Sequence, residues 1–218
     1  DYDVHFVGHP LIDAIADRPL VDETKFRKEH QLSNLPVIAL LPGSRKQEIT
    51  KMLGVMLSLV NNFKDYQFVI AGAPSQDYDF YKRFIKQENV SYIPNKTYDL
   101  LSISNAALVT SGTATLETAL FKVPQVVCYK ANAISYQIAK RIITLKYISL
   151  VNLIMDREVV TELIQGGLNK KRLKKELTSI LETEKREQLF LDYYELEKIL
   201  GGKGASDNAA ELIYKAIT

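Results

Sequence analysis

Two short stretches of this 218-residue chain gather residue types that hold anions. The first, Pro42-Gly43-Ser44-Arg45, ends the apolar run VIALL (37–41) just before a long helical pattern. Gly43 can take a positive φ and let the backbone approach a ligand. Free amides at a helix start attract anions, and Arg45 adds a fixed bidentate charge. A phosphate loop uses all three features. A tight turn with Ser44 as capping residue explains the same Pro, Gly and Ser, and these four residues alone do not separate the two readings.

The second stretch follows the run ALVT (107–110), where Ser111-Gly112-Thr113 opens a helical pattern that carries Glu117. Two hydroxyls and a glycine at a helix start suit a phosphate or diphosphate without any lysine. Glu117 lies one turn beyond Thr113 and projects on the same side as the loop. A carboxylate there is placed to accept hydrogen bonds from a vicinal diol such as a nucleotide ribose. The competing reading is a helix capped by Ser111 or Thr113, with Glu117 favoured by the helix dipole.

The elements that would position these loops alternate. Short β-rich runs at HFVG (5–8), VIALL, QFVIAG (67–72), VSYI (90–93), ALVT and QVVCY (125–129) are separated by helical patterns. The best of these is 46–63, where Ile49, Met52, Leu53, Met56, Leu59, Val60 and Phe63 form one apolar stripe. Alternation of this kind predicts βαβ units, a mostly parallel Rossmann-like α/β sheet flanked by helices, and ligands beyond the carboxyl ends of its strands. Residues 1–165 read as that lobe. Residues 166–218 read as C-terminal helices, at 170–182, 185–200 and 206–217, and the charged face of the first reads as solvated.

Composition narrows the function classes. Twenty-eight basic against 26 acidic residues give a net charge of +2, so no overall field favours nucleic acid. The single Cys128 excludes an internal disulfide framework and a paired-cysteine zinc site. No apolar run approaches the roughly 20 residues that span a bilayer. The chain starts at Asp1 rather than Met and is read as part of a longer protein.

Several ordered stretches together carry a family resemblance. VGHPLID (7–13), LLPGSRKQEI, ALVTSGTATLETAL with VPQVVCYKAN, YQIAKRIITLKYISLVNLI and EVVTELIQ resemble lipid-A-disaccharide synthase, in order from about residue 4 to 165. The resemblance implies the C-terminal, donor-binding lobe of a two-lobed GT-B glycosyltransferase. It implies an inverting enzyme that transfers 2,3-diacylglucosamine from UDP-2,3-diacylglucosamine to 2,3-diacylglucosamine 1-phosphate, with no metal or other cofactor, at the cytoplasmic face of the inner membrane. A homodimer is compatible with it.

Carried onto this sequence, Ser111, Gly112 and Thr113 would face the diphosphate and Glu117 the ribose. Gly43, Ser44 and Arg45 would face the diphosphate or the reacting sugar, with Arg45 stabilising the leaving group. Asn152 would line the donor pocket, although Val151 stands where the family commonly has proline. The general base would belong to the other lobe, leaving the 218 residues inactive alone; His9 and His30 read as structural or solvent-facing. Residues 134–148, with Lys140, Arg141 and Lys146 among isoleucines, read either as a basic amphipathic helix for a lipid surface or as a buried crossover helix.

Overall fold

The structure, a computed structural model, describes residues 4–131 and 146–217. Six strands form one parallel sheet: β1 (Val37–Leu41), β2 (Gln67–Gly72), β3 (Val90–Pro94), β4 (Ser104–Thr110), β5 (Gln125–Tyr129) and β6 (Glu162–Ile164), in the order β3-β2-β1-β4-β5-β6. The chain steps outward from β1 through β2 to β3. It then returns to the other side of β1 for β4. This reversal makes β1 and β4 neighbours with Leu41 opposite Val109, so the loops that follow these two strands emerge side by side.

Every residue of β1 and β2 is buried, as expected for strands covered on both faces, where alternation gives way to continuous apolar runs. Ile38, Leu40, Phe68, Ile70 and Leu108 face one core with helix α3 (Lys46–Leu57), while Ala39, Leu41, Val69 and Val109 face the other with Leu100 and Leu101 of helix α5 (Thr97–Ser102). The predicted stripe of α3 is buried at Ile49, Met52, Leu53 and Met56. The helix stops at Leu57, and a short 3-10 turn at Val60–Asn62 carries the rest.

Helix α6 (Thr113–Leu120) follows β4, and α7 (Leu150–Met155) precedes β6. Three helices follow: α8 (Lys170–Leu181), α9 (Thr183–Ile199) and α10 (Ala205–Ile217). Leu173, Leu177 and Ile180 of α8 and Leu189, Tyr193 and Leu196 of α9 join the same core as the strands. The lysine-rich face of α8 remains exposed.

One expected strand is absent. Residues 5–8 form no strand: Val4 and Phe6 are exposed, Gly8 has φ +98°, and the backbone bonds locally to the other end of the chain. His9 donates its amide to the Leu200 carbonyl at 2.9 Å, and Asn208 donates to the Val7 carbonyl at 3.3 Å. Short helices α1 (Pro10–Ala16) and α2 (Glu23–Glu29) follow. Asp13 of α1 accepts the amides of Gly204 and Ser206 at the start of α10. His9 caps α1 by accepting from the Leu11 amide at 3.2 Å, and His30 packs on Phe26 with ring centroids 4.6 Å apart.

Candidate active site

A cleft of about 260 Å³ opens where β1 and β4 end. This is the switch point of the sheet, where strand order reverses and loops diverge to leave a crevice. Its lining includes Gly43, Ser44, Glu48, Ser111, Gly112, Thr113 and Glu117. Both sequence stretches with anion-binding chemistry therefore meet in one place.

The glycines explain how the backbone reaches it. Gly43 sits at φ +102°, and a Cβ there would lie 2.8 Å from Oε2 of Glu48. Gly112 sits at φ +149° with open space on its side-chain side, in a region of φ that only glycine occupies without strain. As the residue before α6 it provides no side-chain cap. Among the described residues, the amides of Gly112, Thr113 and Ala114 have no protein acceptor. They lie at the positive end of a helix that has no acidic residue in its first turn, an arrangement that attracts an anion.

The hydroxyls play different parts. Ser111 donates its Oγ proton to the Ile148 carbonyl at 2.8 Å, and its amide donates to Cys128 at 3.3 Å, so this serine anchors the loop. The Ser44 carbonyl accepts from the Ser75 hydroxyl, tying the first loop to the one after β2. Thr110 at the floor keeps a buried hydroxyl oxygen without a partner among the described residues.

Two carboxylates flank the cleft. Glu48 folds back over Arg45 and accepts its amide at 3.4 Å. Glu117 accepts from the Tyr98 phenol at 2.7 Å. Burial, and then the Glu117 carboxylate, push the Tyr98 phenol above its usual range. Tyr98 is held on its other sides by the Phe121 ring, 5.2 Å away centroid to centroid, and by the Arg18 guanidinium 5.1 Å from its ring centre.

Two expected site residues lie elsewhere. The Arg45 side chain is 84% exposed and is not part of the lining; its Nη1 lies 3.5 Å from Oε1 of Glu48. Asn152 is fully buried, away from the cleft. Its carbonyl oxygen accepts the amides of Val159 and Val160 at 2.8 and 2.9 Å, and its amide donates to the Val160 carbonyl and to Glu162. Both donor hydrogens and both acceptor positions of this side chain are used inside the fold. The expected lipid-facing segment lies outside the described residues up to 145; beyond it Lys146 is exposed, 3.7 Å from Asp156.

Among the lining residues that the sequence did not single out are Glu48, Pro74 and Thr97; Tyr98 behind Glu117 was missed as well. Thr97 and Tyr98 follow β3 directly and Pro74 follows β2, so the rule that ligands gather at strand carboxyl ends pointed to them. Among the described residues no group of three or more His, Cys, Asp or Glu side chains is placed to hold a metal ion.

Fold and site define a class. MnaA of S. aureus, solved with UDP, matches 97% of this chain and 54% of its own with a TM-score of 0.65 at 14% identity. The UDP-GlcNAc 2-epimerase of Neisseria meningitidis, solved with UDP-GlcNAc, matches 96% and 54% with a TM-score of 0.59 at 18% identity. CalG4, the calicheamicin glycosyltransferase, matches 83% and 42% with a TM-score of 0.56 at 17% identity. The chain thus has the Rossmann-like α/β architecture of a GT-B lobe.

Sequence comparison is more specific. The family model described as lipid-A-disaccharide synthetase matches residues 1–216, and the chain belongs to that family. The lipid-A-disaccharide synthase of Syntrophus aciditrophicus is 39% identical over 216 residues, covering 95% of this chain and 56% of the relative. That of Coxiella burnetii is 32% identical over 220 residues, covering 98% and 58%. The chain therefore spans a little over half the length of these curated relatives.

Proposed function

We propose that this chain is the UDP-sugar-binding part of a lipid-A-disaccharide synthase, with residues 1–165 as the nucleotide-sugar lobe and 166–218 as its C-terminal helices. The reaction joins UDP-2,3-diacylglucosamine to 2,3-diacylglucosamine 1-phosphate with inversion, releasing UDP. The observation that carries this reading is the convergence of the Gly43 and Gly112 loops and Glu117 in one cleft at the switch point.

Each residue then has a part. The diphosphate sits against the amides of Gly112, Thr113 and Ala114 and the Gly43-Ser44 turn, while Glu117 accepts from ribose hydroxyls. As the glycosidic bond breaks, the anomeric carbon gains positive charge and UDP departs with negative charge. Oriented amides stabilise that charge without reorganising. Arg45, next to Ser44 of the lining, exchanges Glu48 for the diphosphate when the ligand binds. A base activating the acceptor hydroxyl from the opposite face comes from the part of the relatives that this chain does not span.

Acylated substrates place the reaction at a membrane surface. No helix among the described residues is long and apolar enough to cross a bilayer, and a peripheral position at the cytoplasmic face of the inner membrane fits this reading. Replacing Lys140, Arg141 and Lys146 with glutamate then weakens cosedimentation with anionic liposomes, and unchanged cosedimentation overturns the assignment of that surface.

Calorimetric titration with UDP and with UDP-2,3-diacylglucosamine tests the function itself. Binding of both, with UDP-GlcNAc bound more weakly than the acylated donor, is expected. Binding of neither overturns the proposal, and equal binding of UDP-GlcNAc and the acylated donor points to another UDP-sugar enzyme of this fold.

A further inference from the structure

Glu162 opens the edge strand β6, yet its carboxylate makes more hydrogen bonds than any side chain of the cleft. Oε2 accepts the Ile148 amide at 2.9 Å. Oε1 accepts the Ser149 amide at 2.9 Å, the Ser149 hydroxyl at 2.7 Å and the Asn152 side-chain amide at 2.9 Å. Ser149 in turn caps α7. Among the described residues no lysine or arginine pairs with Glu162, and the donors that meet its charge are these.

One peptide group connects this cluster to the cleft. The peptide between Ile148 and Ser149 donates its N–H to Glu162 and accepts, through its carbonyl, the hydroxyl proton of Ser111. A carboxylate on the N–H side polarises the peptide and strengthens acceptance on the C=O side. The planarity of the peptide makes the two bonds move together. Ser111 immediately precedes Gly112, whose extended positive φ aims the free amides of α6.

We infer that Glu162 is a positioning residue that holds the Ser111-Gly112-Thr113 loop in its ligand-ready form through the Ile148–Ser149 peptide. The consequence for nucleotide diphosphates rests on the reading under Proposed function; the structural linkage does not. Glutamine at 162 keeps its oxygen for the three donors at Oε1, turns an NH2 group toward the Ile148 amide and removes the charge, so the peptide N–H meets only a neutral, strained acceptor while the side-chain volume is preserved.

The test is a double-mutant cycle in the 218-residue chain with Glu162→Gln, Ser111→Ala and the pair, read by UDP calorimetry and by amide hydrogen exchange at Gly112, Thr113 and Ala114. Each single change is expected to weaken UDP by about tenfold, with the pair losing no more than the larger single. Both singles are expected to accelerate exchange at the three amides in the ligand-free protein. Glu162→Asp, which keeps the charge and shortens the reach, should fall between glutamine and wild type, and it carries the test if Glu162→Gln does not fold. Leu163→Ala, on the same strand but in the core, should lower stability and leave exchange at 112–114 unchanged.

Losses that multiply in the pair, or exchange at 112–114 unmoved by changes at 162, overturn the inference. Failure of the wild-type chain to bind UDP overturns the functional reading instead, while the exchange measurements still decide the linkage.

Discussion

The Tyr98 phenol donates to Oε1 of Glu117 over 2.7 Å, joining the helix after β3 to the helix after β4 across the back of the cleft. The bond occupies one carboxylate oxygen and fixes the plane of the other, and Tyr98 is itself clamped by Phe121 and Arg18. A carboxylate held in this way meets a diol with little ordering left to lose.

Glu117→Gln should therefore weaken UDP binding by about tenfold or more, because hydrogen bonds to a charged acceptor are the stronger kind. Tyr98→Phe should weaken it less, by about two- to fivefold, since it frees the carboxylate without removing it. Calorimetry on folded protein measures both. If Glu117→Gln lowers stability but leaves the affinity of the folded fraction intact, Glu117 serves the helix rather than the ribose.

Alanine at either loop glycine separates backbone strain from steric clash. Gly43→Ala forces a left-handed φ on a side-chain-bearing residue, at about 1–2 kcal/mol, and also sets its Cβ 2.8 Å from Glu48. Gly112→Ala meets no atom within 4 Å and carries only backbone strain, about 1–3 kcal/mol. Urea denaturation should show both variants destabilised. Calorimetry should show Gly112→Ala losing UDP affinity although its Cβ fills empty space; retained affinity would mean that those amides do not hold the ligand.

Much of this architecture was readable because β1, β2, β4 and β5 are continuous apolar runs between breaks, the pattern that burial on both faces requires. The cleft was readable because glycine, serine and a helix start coincide at the ends of two such runs. HFVG misled because apolar residues suit a seam as well as a strand, and only the contacts of Val7 and His9 with the chain's C-terminal region decide between them. Three-residue β6 is too short for any period. Asn152 is a different case: an asparagine beside a helix start looks the same in sequence whether it faces a ligand or is buried among amides, and the structure places it among amides. Glu162, ten residues after Asn152, gave no local signal because all its partners except Asn152 are backbone or hydroxyl groups.

Asn152→Ala should act on the fold. It strands the buried amides of Val159 and Val160 and removes a donor to Glu162, at about 3 kcal/mol. Urea denaturation should show that loss. An unchanged midpoint together with weakened UDP binding would return Asn152 to the binding site.

Asp13 offers a pH test of how α10 is held. Backbone hydrogen bonds from Gly204 and Ser206 lower its carboxyl below the ordinary value of 3.8. A group with a lowered folded-state pKa adds stability that is complete above its unfolded value and is lost as pH falls through the folded value. The contact should therefore persist at pH 5 and above and weaken only below 3.8. Following the Gly204 and Ser206 amide resonances through an acid titration checks this; a midpoint at or above 3.8 would contradict the contact.

Glu48 tests the electrostatics of the cleft most directly. Its carboxylate lines an anion site, accepts the Arg45 amide and pairs with the Arg45 guanidinium at 3.5 Å. In the ligand-free protein it therefore repels an incoming diphosphate and keeps the arginine engaged outside. Glu48→Gln removes both effects while retaining an acceptor for the Arg45 amide. The exposed pair is worth about 0.5–1 kcal/mol, so UDP should bind about two- to fivefold more tightly at low salt, with the gain shrinking as ionic strength rises. Weaker binding by Glu48→Gln at every salt concentration would show instead that Glu48 holds the Gly43 loop in its binding form.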